Sequence, residues 1–511
     1  MSPKLEKSHS RSPTPISISL ALLAVLASGV AFGISDPLPY PFEDRNMFFG
    51  LSLINPAKHA AVVDDLGISW LSLQPHVLWM EIEREPGIYD WSTLDEEVRV
   101  LQALGLDITM VLSPLINAFG DERDEIVEVI ARYPSFIHFM RQGVGSEYRL
   151  HPQGETLPLW RAFVRAAVDR YDGDGTNDMP GLRFQVRNWH VVEEYPTPSI
   201  PDERVYVDLL SQAYAIIHEE CSEAQVVLAG LAGNYAHWFA FMAGFIDDPL
   251  AGAFGGELLT RDLMNRHPSM PFRKGRYEWM VEHAFEFFDV MDLHAYIPVE
   301  SFLEGEIAYL NDLMSQFGEP KPIWIIEGGG PHKNYPDYPA VNSPADPIFG
   351  WGSFEENAEF VVKLHAMSAA AGVERQHWGL GGIKGENAYW DGPWCGMGLL
   401  DWYDDHRKPS YHTFQLMVKK LRGFTDCTDM SFGDVRAFAF TVGDRTVWVL
   451  WDDTEDETPA DASMILGDTE VLVTRIVIAL DASGAPIVAR PTLDSTASLP
   501  ISRTPIFVER R

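Results

Sequence analysis

Eight short apolar runs alternate with helical stretches through most of this 511-residue chain, and that alternation narrows its fold more than any other feature. The runs are Met47 to Leu53, Ile68 to Leu73, Leu106 to Leu112, Arg183 to Val192, Gln225 to Leu231, Asp289 to His294, Ile323 to Ile326 and Gln376 to Leu380. Between them lie helical patterns: Ala57 to Leu66, a helix opened by Leu94-Asp95 under Ser92 or Thr93 as N-cap, Val205 to His218, Asn311 to Phe317 and Glu355 to Ala371. Trp160, Phe163, Val164, Ala167, Val168 and Tyr171 recur at helical spacing and mark one face of an amphipathic helix. Strands too short and too apolar to face water, each followed by a helix, predict a parallel sheet covered on both faces. Eight of them predict an α/β fold closed as a (β/α)8 TIM barrel. An open doubly wound sheet is the alternative. It wants a phosphate-binding glycine turn after the first strand, where Asn55-Pro56 stands instead.

The pattern changes after the helix expected at Tyr411 to Leu421. Val435 to Thr441 and Thr446 to Trp451 flank Gly443-Asp444, which reads as a hairpin. Glu470 to Leu480 and Pro505 to Glu509 add strands. The expected organisation is therefore a barrel over residues 40–425 and a small C-terminal antiparallel β-sandwich over 430–511. At the other end, residues 1–33 combine a basic, Ser/Pro-rich lead with an apolar run and small residues at Ala31-Phe32-Gly33. They read as a signal peptide or an N-terminal anchor. Secretion or a periplasmic location follows, with membrane association only if that segment stays uncleaved.

A net charge of −35 excludes nucleic-acid binding through phosphate contacts. Cys221, Cys395 and Cys427 are far apart and show no zinc spacing, so at most one disulfide is possible and buried free thiols are expected. No metal-protease, nucleophile-elbow or Walker motif occurs, and no cofactor is expected. Fifteen tryptophans suit either a site that stacks on flat apolar faces or simply a large core.

Two strands end in acid. Asn188-Trp-His-Val-Val-Glu193-Glu194-Tyr195-Pro196 runs from β-prone residues into two carboxylates and a proline-forced loop. Lys321-Pro-Ile-Trp-Ile-Ile-Glu327-Gly-Gly-Gly330 repeats the design. Barrels place catalytic groups at the C-terminal ends of their strands, and an acid/base plus a nucleophilic carboxylate is what glycosidic bond cleavage requires.

With these stretches in place, the chain resembles the clan A retaining glycoside hydrolases of the β-xylosidase/α-iduronidase-like kind, which carry a C-terminal β-domain. The resemblance runs through Trp79…Glu83…Gly87-Ile-Tyr89-Asp90-Trp91-Ser92…Leu94-Asp95, Trp160…Phe163-Val164…Arg170-Tyr171, Trp189…Glu194, Asp292-Leu-His294-Ala-Tyr296, Ile323-Trp324…Glu327 and Gly398-Leu-Leu400-Asp401…Lys408-Pro409-Ser-Tyr411. It spans roughly residues 45–425. It implies hydrolysis of O-glycosidic bonds in a saccharide or glycoconjugate by double displacement, with Glu194 as acid/base and Glu327 as nucleophile. It further implies that Tyr296 hydrogen-bonds Glu327 and that His294 lines the pocket. In this mechanism the acid's pKa is expected to rise while the nucleophile stays ionised. Trp378, at the end of the eighth strand, and Trp79 are the candidate sugar-stacking platforms.

Two departures stand out. The family pattern at the fourth strand is W-x-x-x-N-E-P, and Glu193 replaces the asparagine that meets the sugar's 2-hydroxyl. The arginine often found on the second strand is absent from Trp70-Leu-Ser72-Leu-Gln74. A carbohydrate-binding barrel without turnover and a transglycosidase using the same pair are therefore the alternatives. Adjacent strand residues point to opposite faces, so Glu193 and Glu194 need not crowd each other. Separately, Asp172-Gly-Asp174-Gly-Thr176-Asn-Asp178 reads as a solvated acidic turn or a calcium loop.

Overall fold

The computed structural model describes residues 38–43, 46–52, 56–114, 152, 154–195, 203–231, 235–254, 257–297, 299–330, 353–380, 397–401, 406–453, 460–467 and 469–510. The expected signal segment at 1–33, Cys395 and most of the long loops at 117–152 and 331–347 lie outside the described residues.

Eight strands carry the barrel: β1 Phe49–Ser52, β2 Trp70–Leu71, β3 Asp107–Ser113, β4 Asn188–Val191, β5 Gln225–Val227, β6 Met291–Tyr296, β7 Ile323–Gly329 and β8 Arg375–Gly379. They pair in parallel in the order β6-β7-β8-β1-β2-β3-β4-β5. A parallel bridge from Val227 to Val290, with Leu228 N–H donating to Val290 O at 3.0 Å, brings β5 against β6 and nearly closes the ring. The strands are short and apolar because each is buried on both faces.

Around them run α1 Pro56–Leu66, α2 Ser92–Ala103, α3 Leu157–Tyr171, α4 Glu203–Glu220, α5 Tyr235–Ala243, α6 Met270–Ala284, α7 Ser301–Ser315, α8 Phe354–Ala370 and α9 Pro409–Leu421. Helix α7 begins ten residues before the sequence pattern suggests. Gly305 and the buried Glu306 interrupt the apolar spacing, yet Gly305 is where the helix closes on its neighbour. A Cβ there would meet Ile246 Cγ1 at 2.3 Å. Asp95 of α2 accepts from Arg170 Nη2 at 2.6 Å and Tyr171 OH at 2.9 Å of α3, which explains the spacing of those two motifs. The N-cap expected at Ser92 or Thr93 is not formed; Asp90 instead accepts from Ser92 N–H and Oγ.

Inward side chains stack in layers. At the strand starts, Asp107 accepts from Tyr40 OH (2.7 Å), Asn188 Nδ2 (2.9 Å) and Arg375 Nη1 (2.8 Å), and the Arg375 guanidinium lies 4.0 Å from the Trp324 ring. Val111, Val227, Val290, Trp324 and Ile326 form an apolar plug above. The strand ends carry His190, Asp292, His294, Glu327 and His377, so the polar layer faces the mouth.

The C-terminal part forms a six-stranded antiparallel sheet from β9 Phe424–Asp429, β10 Val435–Val442, β11 Arg445–Asp452, β12 Glu470–Arg475, β13 Thr492–Ser495 and β14 Ile506–Arg510. The hairpin turns at Gly443, whose φ of 62° favours glycine. The sandwich-like layering arises from sheet against barrel. Phe438, Phe440, Val449 and Trp451 join the barrel's core, while Ala437, Ala439, Trp448 and Leu450 pack beneath Leu466, Leu499 and Ile501. Cys221 and Cys427 are free thiols. Among the described residues no helix is long and apolar enough to cross a membrane.

Candidate active site

Strand β4 ends abruptly. Val192 adopts φ 67°, a conformation that a β-branched residue rarely tolerates, and the ladder resumes only at Glu194–Tyr195, paired with Gly230–Leu231. Backbone outliers of this kind concentrate at functional sites. The kink swings the Glu194 carboxylate to the barrel axis. There His294 Nδ1 lies 3.0 Å from Glu194 Oε1 and 3.6 Å from Glu327 Oε2. One carboxylate oxygen of each glutamate and a His294 nitrogen all fall within 4.8 Å of one another. Tyr296 OH donates to Glu327 Oε2 at 2.8 Å. Side-chain exposure is 36% for Glu194 and 14% for Glu327, so both meet the mouth.

Beneath them, Asp292 Oδ2 lies 3.0 Å from His294 Nε2 and 3.4 Å from His190 Nε2. Its Oδ1 accepts from Ile326 N–H at 3.3 Å. Gly230 makes room for this pair: a Cβ there would lie 2.2 Å from His294 Nε2 and 2.5 Å from Asp292 Oδ2. On the other side, His377 accepts at Nε2 from Gly328 N–H at 3.1 Å and approaches Ser72 Oγ at 3.3 Å through Nδ1. It thereby fixes the backbone that follows Glu327.

Charge is concentrated on His294. Burial opposes its protonation, but Glu327 and Asp292, with hydrogen bonds to Asp292 and Glu194, hold its pKa well above the usual histidine range. An imidazolium donates from both nitrogens, here towards Asp292 and Glu194. His190 takes the opposite state: burial lowers it to about 4. Burial pushes Glu327 up to about 8; His294 opposes the rise, Glu194 and Glu193 add to it, and the Tyr296 hydrogen bond opposes it. The upward shift thus sits on Glu327 itself, contrary to the expectation of an ionised nucleophile. Glu193, which follows the turn at Val192, thus bears electrostatically on that carboxylate too.

Two expected residues lie elsewhere. Trp378 and Trp79 are fully buried. Strand alternation points His377 into the barrel and Trp378 out against Phe360 and His365 of α8, with its N–H on Met397 O at 3.0 Å. Trp79 packs on Trp160 and Phe163 of α3 and bonds Glu83. With Trp70, Trp160, Trp189, Trp324 and Trp451 also fully buried, much of the tryptophan content serves the core. The residues that sequence reasoning left without a role are Asp292, His377 and Ser72. Asp292 was legible as the same-face neighbour of His294, two residues back.

In the acidic turn, Asp169, Asp172 and Asp174 each offer an oxygen within 4.8 Å of the others. Asp178 spends its oxygens on Gly173 and Gly175 N–H groups. Burial, with the carboxylates of Asp174, Asp178 and Asp169 adding, raises Asp172 to about 7.

No known family model and no curated protein matches the chain in sequence. Its fold does match solved structures. A family 39 glycoside hydrolase from the gut symbiont Bacteroides cellulosilyticus WH2 superposes with a TM-score of 0.54 at 14% identity, covering 92% of this chain and 82% of that one. A glucosidase from Croceicoccus marinus gives 0.52 at 12% identity, over 92% and 97%. BuGH86, solved in complex with neoagarooctaose, gives 0.52 at 12% identity, over 92% and 76%. At these identities the likeness is one of fold, a TIM barrel followed in this chain by an antiparallel β-domain.

Proposed function

We propose that this protein is a glycosidase that cleaves O-glycosidic bonds with retention, Glu327 acting as nucleophile and Glu194 as acid/base. The carrying observation is the pair of carboxylates, one just beyond the turn that ends β4 and one on β7, with oxygens within 4.8 Å of each other beside His294. Retaining enzymes hold their carboxyl groups about 5–5.5 Å apart, whereas inverting ones need about 6.5–9.5 Å to admit a water. In the first step Glu327 attacks the anomeric carbon while Glu194 gives its proton to the leaving oxygen. In the second, Glu194 takes a proton from water, which displaces Glu327. Tyr296 orients the nucleophile, and His294, held by Asp292, offsets the negative charge of the pair. That the neighbouring folds include a glucosidase and a family 39 glycoside hydrolase supports the same reading.

A panel of aryl glycosides tests it. Turnover by the native chain should fall at least about 10³-fold in Glu327→Gln and about 10²–10⁴-fold in Glu194→Gln, with folding unchanged. In Glu194→Gln the loss should be smallest for the most acidic phenol, which leaves without protonation. A carbohydrate-binding barrel without turnover is the second reading, favoured by the rise of Glu327 to about 8, which leaves it mostly protonated at neutral pH. Saccharide binding with no turnover between pH 5 and about 9 would select it.

A further inference from the structure

Behind the segment that carries Glu194, the chain builds a second cavity. Glu194 and Tyr195 are adjacent in extended backbone, so their side chains leave opposite faces. Glu194 turns inward to His294. Tyr195 turns outward to the helices, where its ring stacks on Tyr206 at 5.7 Å and its hydroxyl lies 3.1 Å from Glu203 Oε2 and 3.0 Å from Arg276 Nη2. Between this face and helices α5 and α6 lies a cavity of about 360 Å³, walled by Tyr195, Tyr235, Phe239 and Phe272 and reached by Arg273 and Arg276. Ligand pockets begin at about 300 Å³ and pair apolar walls with a few polar groups.

The charges here are not equivalent. Arg276 is matched by Glu203. Arg273 lies over the Tyr235 ring, 5.1 Å from its centroid, and makes no ion pair among the described residues. On a chain of net charge −35, the run Arg273-Lys274-Gly275-Arg276 is a local reversal of sign. At the rim Phe272 leaves 64% of its surface in water, an exposure unusual for phenylalanine.

We propose that this cavity binds a small ring compound bearing a carboxylate, its ring between the aromatic walls and its carboxylate on Arg273. Guanidinium and carboxylate match as a two-bond fork, and the volume suits one six-membered ring. A sugar acid and an aromatic acid share this chemistry. Its lining includes none of Glu194, His294, Tyr296 and Glu327, so the proposal does not rest on the catalytic reading.

The test titrates the full chain with glucuronate, benzoate and glucose, following heat or ligand NMR signals, in the native protein and in Arg273→Gln, Arg273→Lys, Phe272→Ala and Glu327→Gln. Residues 272 and 273 are exposed, so these variants keep the fold. At least one carboxylate should bind, about tenfold more weakly in Arg273→Gln and with partial recovery in Arg273→Lys. Phe272→Ala should also bind more weakly, and Glu327→Gln should bind like the native chain. Binding of glucuronate alone assigns a sugar acid, benzoate alone an aromatic acid, and both the shared carboxylate ring. The proposal is overturned if neither carboxylate binds by about 10 mM, if glucose binds as tightly, if Arg273→Gln is without effect, or if Glu327→Gln abolishes binding.

Discussion

Glu327 carries two demands that pull against each other. As the proposed nucleophile it must be ionised to attack, yet burial and the nearby Glu194 and Glu193 favour its neutral form. A carboxyl raised from its ordinary value to about 8 binds more protons folded than unfolded across that interval. Folding stability is therefore fully present below about pH 4.5 and falls as pH rises to 8. Glu327→Gln removes the titration. Denaturant melts of this variant should show a gain over the native chain of at least about 1 kcal/mol at pH 8 and little gain near pH 4.5. An equal gain at both pH values would mean that Glu327 is not the group responsible. Because His294 and Glu327 shift one another, the acidic limb of kcat/KM belongs to the pair. Asp292→Asn takes away part of what keeps His294 protonated, and with it the cation that opposes Glu327's rise. The limb should then move to higher pH, with a fall of about tenfold or more at pH 7; an unshifted limb would leave Asp292 a merely structural residue.

At the scale of elements, the site depends on a strand that stops and restarts. The turn at Val192 and the short pairing of Glu194–Tyr195 with Gly230–Leu231 bring Glu194 over His294. Gly230→Ala would drive a methyl into His294 and Asp292. It should cost about 1–3 kcal/mol of stability and at least tenfold in kcat, read by melting and turnover together. The two acid-ended strands were legible because an apolar run that meets a carboxylate and then Pro or Gly has few other readings. The turn at Val192 was not, since period-two alternation holds only while backbone stays extended, and nothing in Val-Val-Glu-Glu announces a left-handed valine. Trp378 misled for a related reason. It was judged by ring type and strand end, whereas its parity against His377 decides which face it takes. Asp292 shows the converse, because its spacing from His294 already put both on one face.

The whole molecule is a barrel whose β-sheet is a structural part of it. The alternation of eight runs with helices was enough to anticipate the closed sheet, and the loss of helical period from Val435 onward marked four of the six antiparallel strands but not Phe424–Asp429 or Thr492–Ser495, whose residues are largely polar. What covers each face of that sheet depends on contacts between residues far apart in sequence, which local patterns do not encode. Phe438 stacks on Trp451 at 5.1 Å, and Lys363 of α8 lies 5.8 Å from the Trp451 ring. Arg436 pairs with Glu304 of α7, and Thr504 donates to Glu359 of α8 at 2.5 Å. Phe438→Ala should therefore cost about 3–5 kcal/mol and lower one shared unfolding transition; a second, independently melting unit would contradict the single core. The most direct test of the central claim is the anomeric configuration of the first product, followed by NMR with whichever aryl glycoside turns over fastest. Carboxylates this close leave no room for a water between nucleophile and sugar, so the product should appear with the substrate's configuration and only later mutarotate. A first product of inverted configuration would contradict the assignment of Glu327 as nucleophile and of Glu194 as its acid/base partner.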